Sequence, residues 1–360
     1  MDSEIKKIIG AVKKCAKTVT LGFDGYVDEV FEIVENRDKD NNVAVYSKMN
    51  QFADRIRQGG AGGVSAEIIR KRRSHGGFTA NTGNAVASLG IGTVMVGLFG
   101  EEKLDPVFQP FEKKCRVISA GNPAMTNIYE FDDGKLMLPF IEPTINFDYA
   151  SLAASVGKDR LAEIFSGSDI IAVGYWSLMP AFGEIVAKIA ESLPADGKRR
   201  RMFFDFADVR KREESALREM ISTLGVLNGV VPATLSLNEH EAAVVFGLYG
   251  KKITADEAPK PGEIEAVRRM TGLDELVVHT PRYAVSASAE EGEHAAAQIY
   301  CEKPLLTTGA GDTFNGGYIA AKAAGLSPAE RLRFANAVVG CYLRNGAAPG
   351  LTQAAEATLI

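Results

Sequence analysis

The sequence predicts an α/β fold built around a parallel β-sheet with helices on both faces. Short, continuous apolar runs such as 94–99 and 170–175 are typical of strands buried inside a parallel sheet. The runs at 170–175 and 202–206 are each followed by a helical stretch, so strand and helix alternate along the chain. A chain of 360 residues with 46% hydrophobic content can bury a large core. We therefore expect a single domain over residues 1–360.

The composition argues against several classes of protein. A net charge of −5 disfavours a nucleic-acid partner or an anionic membrane surface, and no apolar run is long enough to span a bilayer. The four cysteines form no C-x-x-C pair, so we expect reduced thiols in the cytoplasm rather than zinc or disulfides. The four histidines lack the H-E-x-x-H spacing, and neither a P-loop nor a G-x-S-x-G elbow is present.

The chain is expected to begin with an amphipathic helix from Ser3 to Ala16. A β-rich run, Thr18 to Phe23, follows it and ends in two carboxylates. Because ligands bind at the carboxyl ends of parallel strands, Asp24 and Asp28 are candidates for binding the hydroxyl groups of a ligand. The alternative is a solvated turn that the two aspartates cap.

Two stretches have the pattern of shorter strands. Residues 27–34 and 43–46 are β-rich and are separated by a polar turn. Residues 126–139 alternate around an Asp-Gly turn at Asp133 and Gly134, which is a strong hairpin signal.

A glycine turn leads into a small-residue helix between His75 and Gly90. Gly76 and Gly77 precede the helix, and Asn81 lies in its first turn as a hydrogen-bonding group. Tight helix packing explains the small residues but not the polar Asn81. Just before this stretch, residues 70–73 read Arg-Lys-Arg-Arg. We interpret this run as a solvated face, with a substrate that already carries a phosphate as the alternative.

Asn238 and Glu241 have the spacing of a capping box at the start of a helix. Local structure alone therefore accounts for both residues. A further strand is expected over 276–280 and a further helix over 333–340.

The stretch from Thr307 to Ala321 is the one around which the rest is organised. Its glycine-rich first half opens an apolar helix, and the first-turn amides and dipole of a helix favour an anion. Gly309 to Gly311 carry almost no side chain, so a phosphate could approach their amides closely. The carboxylate of Asp312 would repel that phosphate, so its presence needs a function. Accepting a proton from the group that attacks the phosphate would be such a function. With an ordinary pKa of about 3.9 Asp312 would be ionised at neutral pH. The alternative role is a helix cap.

These stretches resemble the two signatures of the ribokinase-like (PfkB) carbohydrate kinase family, and the resemblance covers nearly the whole chain. It implies a ribokinase-like fold with a small β-lid, formed here by residues 27–46 and 126–139. In that family the lid covers the sugar and often builds a homodimer. The implied activity is phosphoryl transfer from ATP to a sugar hydroxyl with Mg²⁺.

The resemblance also implies roles for individual residues in catalysis, in sugar binding and in binding the nucleotide and its metal. The implied catalytic residues are the anion hole Gly309, Ala310 and Gly311, with Asp312 as the base. The implied sugar-binding residues are Asp24, Asp28, Gly76, Gly77 and Asn81. The implied nucleotide-binding residues are Asn238, Glu241, Thr280, Asn336 and Gly346, of which Asn238 and Glu241 would hold Mg²⁺ through water.

Two departures from the family pattern leave details open. Thr280-Pro281-Arg282 stands where ATP-using relatives have Thr-Leu-Gly, and it is a little like the ADP-dependent sugar kinases, although the chain is short for their larger lid. Leu306 stands where many relatives have an Asp that helps bind a monovalent cation, so potassium activation stays open. A nucleoside kinase, an ADP-dependent sugar kinase and a non-catalytic sugar-binding relative are the alternatives to an ATP-dependent sugar kinase.

Overall fold

The computed structural model describes residues 3–359. Its strands are β1 (Thr18–Phe23), β2 (Tyr26–Arg37), β3 (Val43–Val45), β4 (Ile68–Gly76), β5 (Gly92–Leu98), β6 (Arg116–Gly121), β7 (Ala124–Phe131), β8 (Gly134–Phe140), β9 (Ile170–Gly174), β10 (Arg201–Asp205), β11 (Ala233–Asn238), β12 (Glu275–His279), β13 (Tyr283–Ser288) and β14 (Gly292–Ala297). Its α-helices are α1 (Ser3–Lys13), α2 (Met49–Gly59), α3 (Phe78–Ser88), α4 (Glu142–Ile145), α5 (Tyr149–Val156), α6 (Lys158–Gly167), α7 (Phe182–Ser192), α8 (Glu214–Asn228), α9 (Glu239–Leu248), α10 (Glu263–Thr271), α11 (Ala310–Ala323), α12 (Pro328–Asn345) and α13 (Leu351–Glu356).

The main sheet has nine strands in the order β14-β13-β12-β11-β10-β9-β1-β5-β6. The strands from β12 to β6 run parallel, and β13 and β14 extend one edge as an antiparallel pair. Strands such as β9 are buried on both faces, which explains why their sequences are continuously apolar. The predicted parallel sheet with helices on both faces is confirmed.

Alternate residues of each strand face two different helical layers. Phe23 and Ile171 pack on one face with residues of α5 to α10, whereas Leu21 and Ala172 pack on the other with α1, α3, α11, α12 and α13. Within the second layer α3 and α11 touch closely, since a Cβ added to Gly316 would lie 2.5 Å from the Cβ of Ala85. This close contact brings the polar first turns of the two helices together.

A second, five-stranded sheet continues from the carboxyl end of β1. β2 is its central strand and pairs with β3 and β4 in antiparallel fashion and with β7 in parallel fashion, and β7 forms a hairpin with β8. The hairpin expected around the Asp-Gly turn is therefore present. The strand β4 was not expected, because its central residues are all charged. Among residues 3–359, none of the helices combines the length and the apolar character needed to cross a membrane.

Candidate active site

The first turn of α11 has the backbone geometry expected of an anion-binding loop. Gly309 has a φ of +81°, a left-handed conformation that glycine adopts without strain. Ala310 N donates to Thr307 O and Thr313 N donates to Gly309 O, so the amides of Gly311 and Asp312 have no acceptor inside the helix. Gly311 also has no room for a side chain, since an added Cβ would lie 3.2 Å from His279 Cε1. The loop can hold an anion with backbone N–H groups alone.

Asp312 is half-buried and has one side-chain partner within residues 3–359, the Asn81 amide, whose Nδ2 donates to Asp312 Oδ2 at 2.8 Å. Burial raises the pKa of Asp312 to about 8, and the charge of Asp205 acts in the same direction. The hydrogen bond from Asn81 opposes this shift. The expectation of an ordinary Asp pKa is therefore wrong, because the sequence does not show that the carboxyl is partly removed from water and close to Asp205.

Asp205 belongs to a hydrogen-bonded network that the sequence analysis did not single out. Its Oδ2 accepts from Asn315 Nδ2 at 2.7 Å, and Asn315 Oδ1 lies 2.7 Å from the Ser236 hydroxyl that donates to it. Burial raises the pKa of Asp205 to about 6. An Asp at the end of the otherwise apolar strand β10 was the available signal, because the carboxyl ends of parallel strands form the ligand-binding edge.

The two aspartates that follow β1 have different surroundings. Asp24 is fully buried and accepts hydrogen bonds from Phe78 N at 2.7 Å and from Thr79 N at 2.8 Å, so it caps α3. Asp28 instead lines a cavity, and burial raises its pKa to about 6. Of the two candidates for sugar binding, Asp28 is the one that a ligand can reach.

The glycine pair before α3 is required by these carboxylates. A Cβ on Gly76 would lie 2.6 Å from Asp28 Oδ2, and one on Gly77, whose φ is +91°, would lie 2.2 Å from Asp24 Oδ2. Both positions therefore exclude a side chain in the structure itself. This reason is independent of the close approach to a sugar that the resemblance implied.

The cavity next to Asp28 has a volume of about 440 Å³ and lies between the second sheet and the start of α11. The second sheet supplies one wall, and the loops before α11 and after α12 supply another. Its lining residues are Asp28, Val30, Arg72, Ser74, His75, Asn81, Asn84, Lys114, Ile128, Leu305, Leu306, Thr308, Tyr342, Gly346, Ala347 and Ala348.

The cations of β4 are mostly paired with carboxylates of neighbouring strands. Lys71 lies 3.0 Å from Glu32, and Arg73 makes contacts of 2.9 Å with Glu29 and 2.6 Å with Asp105. This supports the interpretation of residues 70–73 as a solvated face. Arg72 is the exception, because it lines the cavity as well as contacting Glu130 at 3.2 Å.

Asn238 and Glu241 form the capping box that their spacing predicted. Asn238 Oδ1 accepts from His240 N and Glu241 N, and Glu241 Oε2 accepts from Asn238 N at 3.0 Å. Glu241 is only 3% exposed, and burial together with the charge of Asp205 raises its pKa well above the usual range. Among residues 3–359, no three His, Cys, Asp or Glu side chains are grouped so that they could ligate one metal ion.

The residues predicted to bind the nucleotide lie in separate places. Asn336 lines a second cavity of about 590 Å³ between β14 and α12, where its Nδ2 donates to Ala297 O at 3.0 Å. Gly346 lies at the end of α12 and lines the first cavity instead. It is ten residues after Asn336, and ten residues of α-helix span about 15 Å. Thr280 is buried in a turn, where its hydroxyl accepts from Tyr283 N at 3.0 Å.

Three further residues beside the site were not predicted. His75 and Lys114 line the first cavity, and Tyr342 donates its hydroxyl hydrogen to Thr308 O at 2.5 Å. His75 directly precedes the glycine pair, which was a usable signal. Lys114 and Tyr342 come from distant segments that give no local pattern.

Comparison with known proteins identifies similar sequences over almost the whole chain. The sequence model of the family described as prokaryotic ketohexokinase matches residues 7–358. A curated ketohexokinase of Haloferax volcanii is 29% identical over 338 residues, which are 92% of this chain and 88% of the relative.

Solved structures with the same arrangement of elements are much less similar in sequence. The ribokinase of Arabidopsis thaliana, complexed with ribose and ATP, matches with a TM-score of 0.65 and 16% identity, covering 96% of this chain and 99% of the ribokinase. A nucleoside kinase of Methanocaldococcus jannaschii, described as an archaeal member of the ribokinase family, matches with a TM-score of 0.59 and 15% identity over 95% and 98% of the two chains. These similarities show a ribokinase-like fold. The two proteins differ in the compound that they phosphorylate, since one is a ribokinase and the other a nucleoside kinase.

Proposed function

The chain belongs to the prokaryotic ketohexokinase family of ribokinase-like (PfkB) carbohydrate kinases, and on this premise we propose that it transfers a phosphoryl group from ATP to a hydroxyl of a ketohexose. The kinase activity agrees with the sequence prediction. One observation carries the proposal: the cavity wall formed by Asp28 and Asn81 leads directly to Asp312 at the start of α11. An acceptor bound in this cavity would contact Asp28 and Asn81, and Asn81 alone would separate it from Asp312.

Asp312 acts as the general base in this proposal. Its carboxylate takes the proton of the attacking hydroxyl while the hydroxyl oxygen forms a bond to phosphorus and the bond from phosphorus to ADP breaks. The free amides of Gly311 and Asp312, in the loop that begins at Gly309 and Ala310, donate to the oxygens of the transferring group. Because its pKa is raised, the carboxylate binds a proton more strongly than an ordinary Asp does.

The donor set at the start of α9 fits a hydrated Mg²⁺ ion. Asn238 and Glu241 offer oxygen atoms, which are the ligands that Mg²⁺ prefers. The negative charges of Asp205, Asp208 and Asp312 each raise the pKa of Glu241, so this region favours a cation. The two residues would hold the ion through its water shell, because Mg²⁺ gives up its own waters reluctantly. When bound, Mg²⁺ neutralises charge on the nucleotide phosphates.

The second cavity is the proposed site of the nucleotide base. Gln298 lines it, and its buried Oε1 has no hydrogen-bond partner among residues 3–359. An adenine amino group could donate to that oxygen, beside Asn336. Thr280 and Gly346 lie outside this cavity. ATP rather than ADP is the proposed donor, because the second sheet is a small lid.

The five-stranded sheet is proposed to act as this lid and as a dimer interface. Val30 and Ile128 of the sheet line the acceptor cavity on its inner face. Met137, Leu138 and Phe140 of β8 are 47%, 51% and 57% exposed. A second copy of the chain would cover Leu138 and Phe140, which share one face of this edge strand, whereas Met137 lies on the face of Ile128.

The acceptor is tested by measuring phosphoryl transfer from ATP and from ADP to a panel of compounds. We expect the highest kcat/KM with ATP and a ketohexose such as fructose, and lower values with glucose, ribose and adenosine. A preference for adenosine or for ribose would overturn the proposed acceptor, and faster turnover with ADP would overturn the donor. The Asp312→Asn protein serves as the inactive control for contaminating kinases.

A phosphorylated ketohexose is the second candidate, because Arg72 and Lys114 both line the acceptor cavity. Within residues 3–359 the Lys114 ammonium donates only to the neutral Asn84 and Ser88 side chains, at 3.1 and 3.0 Å. Comparing fructose with fructose 6-phosphate decides between the two acceptors. If the phosphorylated sugar is preferred, Arg72→Ser should raise its KM and leave that of fructose unchanged.

A further inference from the structure

His75 connects the acceptor cavity with the catalytic base. It lies on β4 opposite Val27 of β2, lines the cavity, and packs its ring edge-on against Phe111 with the ring centroids 4.8 Å apart. Its Nδ1 is 3.0 Å from Asn81 Oδ1, and Asn81 Nδ2 is 2.8 Å from Asp312 Oδ2. One amide therefore joins the imidazole to the carboxylate.

The chemistry of the amide determines the proton position on the imidazole. An Asn side chain has one N–H₂ donor and one oxygen acceptor. When Asp312 is ionised the N–H₂ group faces it, because an oxygen in that place would oppose the carboxylate. The amide oxygen consequently faces His75, and Nδ1 must carry the hydrogen. Burial and the charge of Lys114 lower the pKa of His75, so the ring is neutral and Nε2 is its acceptor.

The orientation of Asn81 matters because the surroundings of Asp312 otherwise disfavour its charged form. Burial does so, and so do the charges of Asp205, Asp24 and Asp28. The amide of Asn81 is the side-chain hydrogen bond that favours the carboxylate. Asn81 lies close to the loop before α11, since a Cβ added to Gly309 would be 3.2 Å from Asn81 Nδ2.

We propose that His75 is a positioning residue, which donates from Nδ1 to Asn81 and so holds the Asn81 amide in the orientation that donates to Asp312. This rests on the proposed function in assigning Asp312 as the base, although it does not depend on which sugar is the acceptor. The charged groups that line the cavity together with His75 are Lys114, on the segment that carries Phe111, Arg72 on β4 itself, and Asp28 on β2.

Two substitutions of similar size separate this role from packing. His75→Asn keeps an N–H donor close to the position of Nδ1, whereas His75→Leu has no donor, and both lose the ring contact with Phe111. We expect His75→Leu to lose about tenfold in kcat at neutral pH. Without the bond from His75 the Asn81 amide is free to turn, and the Asp312 carboxylate then loses its hydrogen bond from Asn81. The acid limb of the kcat/KM profile of His75→Leu should move about one pH unit higher, and the KM for ATP should not change. His75→Asn should keep the wild-type limb.

Equal behaviour of the two variants, or a His75→Leu enzyme with the wild-type limb and only a higher KM for the sugar, would overturn the proposal. If both variants fail to fold, the wild-type protein still provides a test through the ¹⁵N spectrum of its four histidines. The His75 signals should be those of the neutral Nδ1–H tautomer, and an Nε2–H tautomer would refute the assignment. A wild type that phosphorylates another sugar would contradict only the proposed acceptor, and the variants would then be compared on that sugar.

Discussion

Replacing Asp312 by Asn tests whether this residue acts as a catalytic base or only supports the start of its helix. Asn has the same shape and an oxygen that can accept from the Asn81 amide, which lies 2.8 Å away. Asp312 makes no capping bond in α11, whose N-cap is Gly309, so the helix should form normally with Asn in its place. Asn cannot take up the proton of an attacking hydroxyl. The substitution therefore changes the chemistry of the site and leaves its packing in place.

Two magnitudes are expected from the structure. A general base contributes about 10²–10⁴ in rate, so kcat of Asp312→Asn should fall at least a hundredfold while the KM for ATP changes little. A carboxyl with a pKa of about 8 is only about one-tenth ionised at pH 7, so wild-type kcat/KM should rise about tenfold between pH 7 and 9. The residual activity of the variant should lack this rise.

The same substitution should increase the free energy of unfolding, because the pKa of Asp312 is raised in the folded protein. In the folded protein Asp312 holds its proton up to about pH 8, whereas in the unfolded chain it loses the proton near 3.8. The wild type therefore loses stability as the pH rises between these values. Asp312→Asn does not ionise, so it should gain on the wild type by at most about 1.4 kcal/mol per pH unit in that window.

The assay follows ADP and sugar phosphate directly between about pH 6 and 10, with thermal unfolding recorded in the same buffers. Asp148→Asn is the matched control, because Asp148 caps α5 by accepting from Ser151 N at 2.7 Å and lies outside both cavities. It should keep the wild-type rate and pH profile. A folded Asp312→Asn enzyme with most of its turnover would refute the mechanism. A wild-type acid limb below about pH 5 would refute the raised pKa.

Three other outcomes are expected. Asp205→Asn removes the neighbouring charge that raises the pKa of the base, so the acid limb of kcat/KM should move to lower pH, and an unmoved limb would contradict the coupling. Asn238→Ala should cost about 1 kcal/mol of stability and also raise the Mg²⁺ concentration for half-maximal activity; Asp148→Ala, which removes a cap elsewhere, should cost stability only. Leu138→Asp should convert a lid-mediated dimer to a monomer in sedimentation experiments. The control Val226→Asp, at a 74% exposed position on α8, should leave the dimer intact. A wild type that is already monomeric would exclude this interface.

The sequence by itself determined the features that depend on near neighbours in the chain. Continuous apolar runs predicted the parallel strands, since a strand buried on both faces has no polar side to alternate with. The capping box of Asn238 and Glu241 and the glycine turn that opens α11 were predicted equally well, because each is completed within a few residues. The resemblance to a kinase family depended on these same local motifs.

Only the tertiary structure decided how those motifs act together. Asp24 and Asp28 are equivalent in the sequence, but one caps α3 and the other lines the cavity, because β2 continues past the start of that helix. The pKa of Asp312 depends on Asp205, which is more than a hundred residues away in the chain. The hydrogen-bond chain through Asn81 likewise joins β4, α3 and α11. Charge interactions and burial depend on distance in space, and distant segments come together only when the helices pack on the sheet.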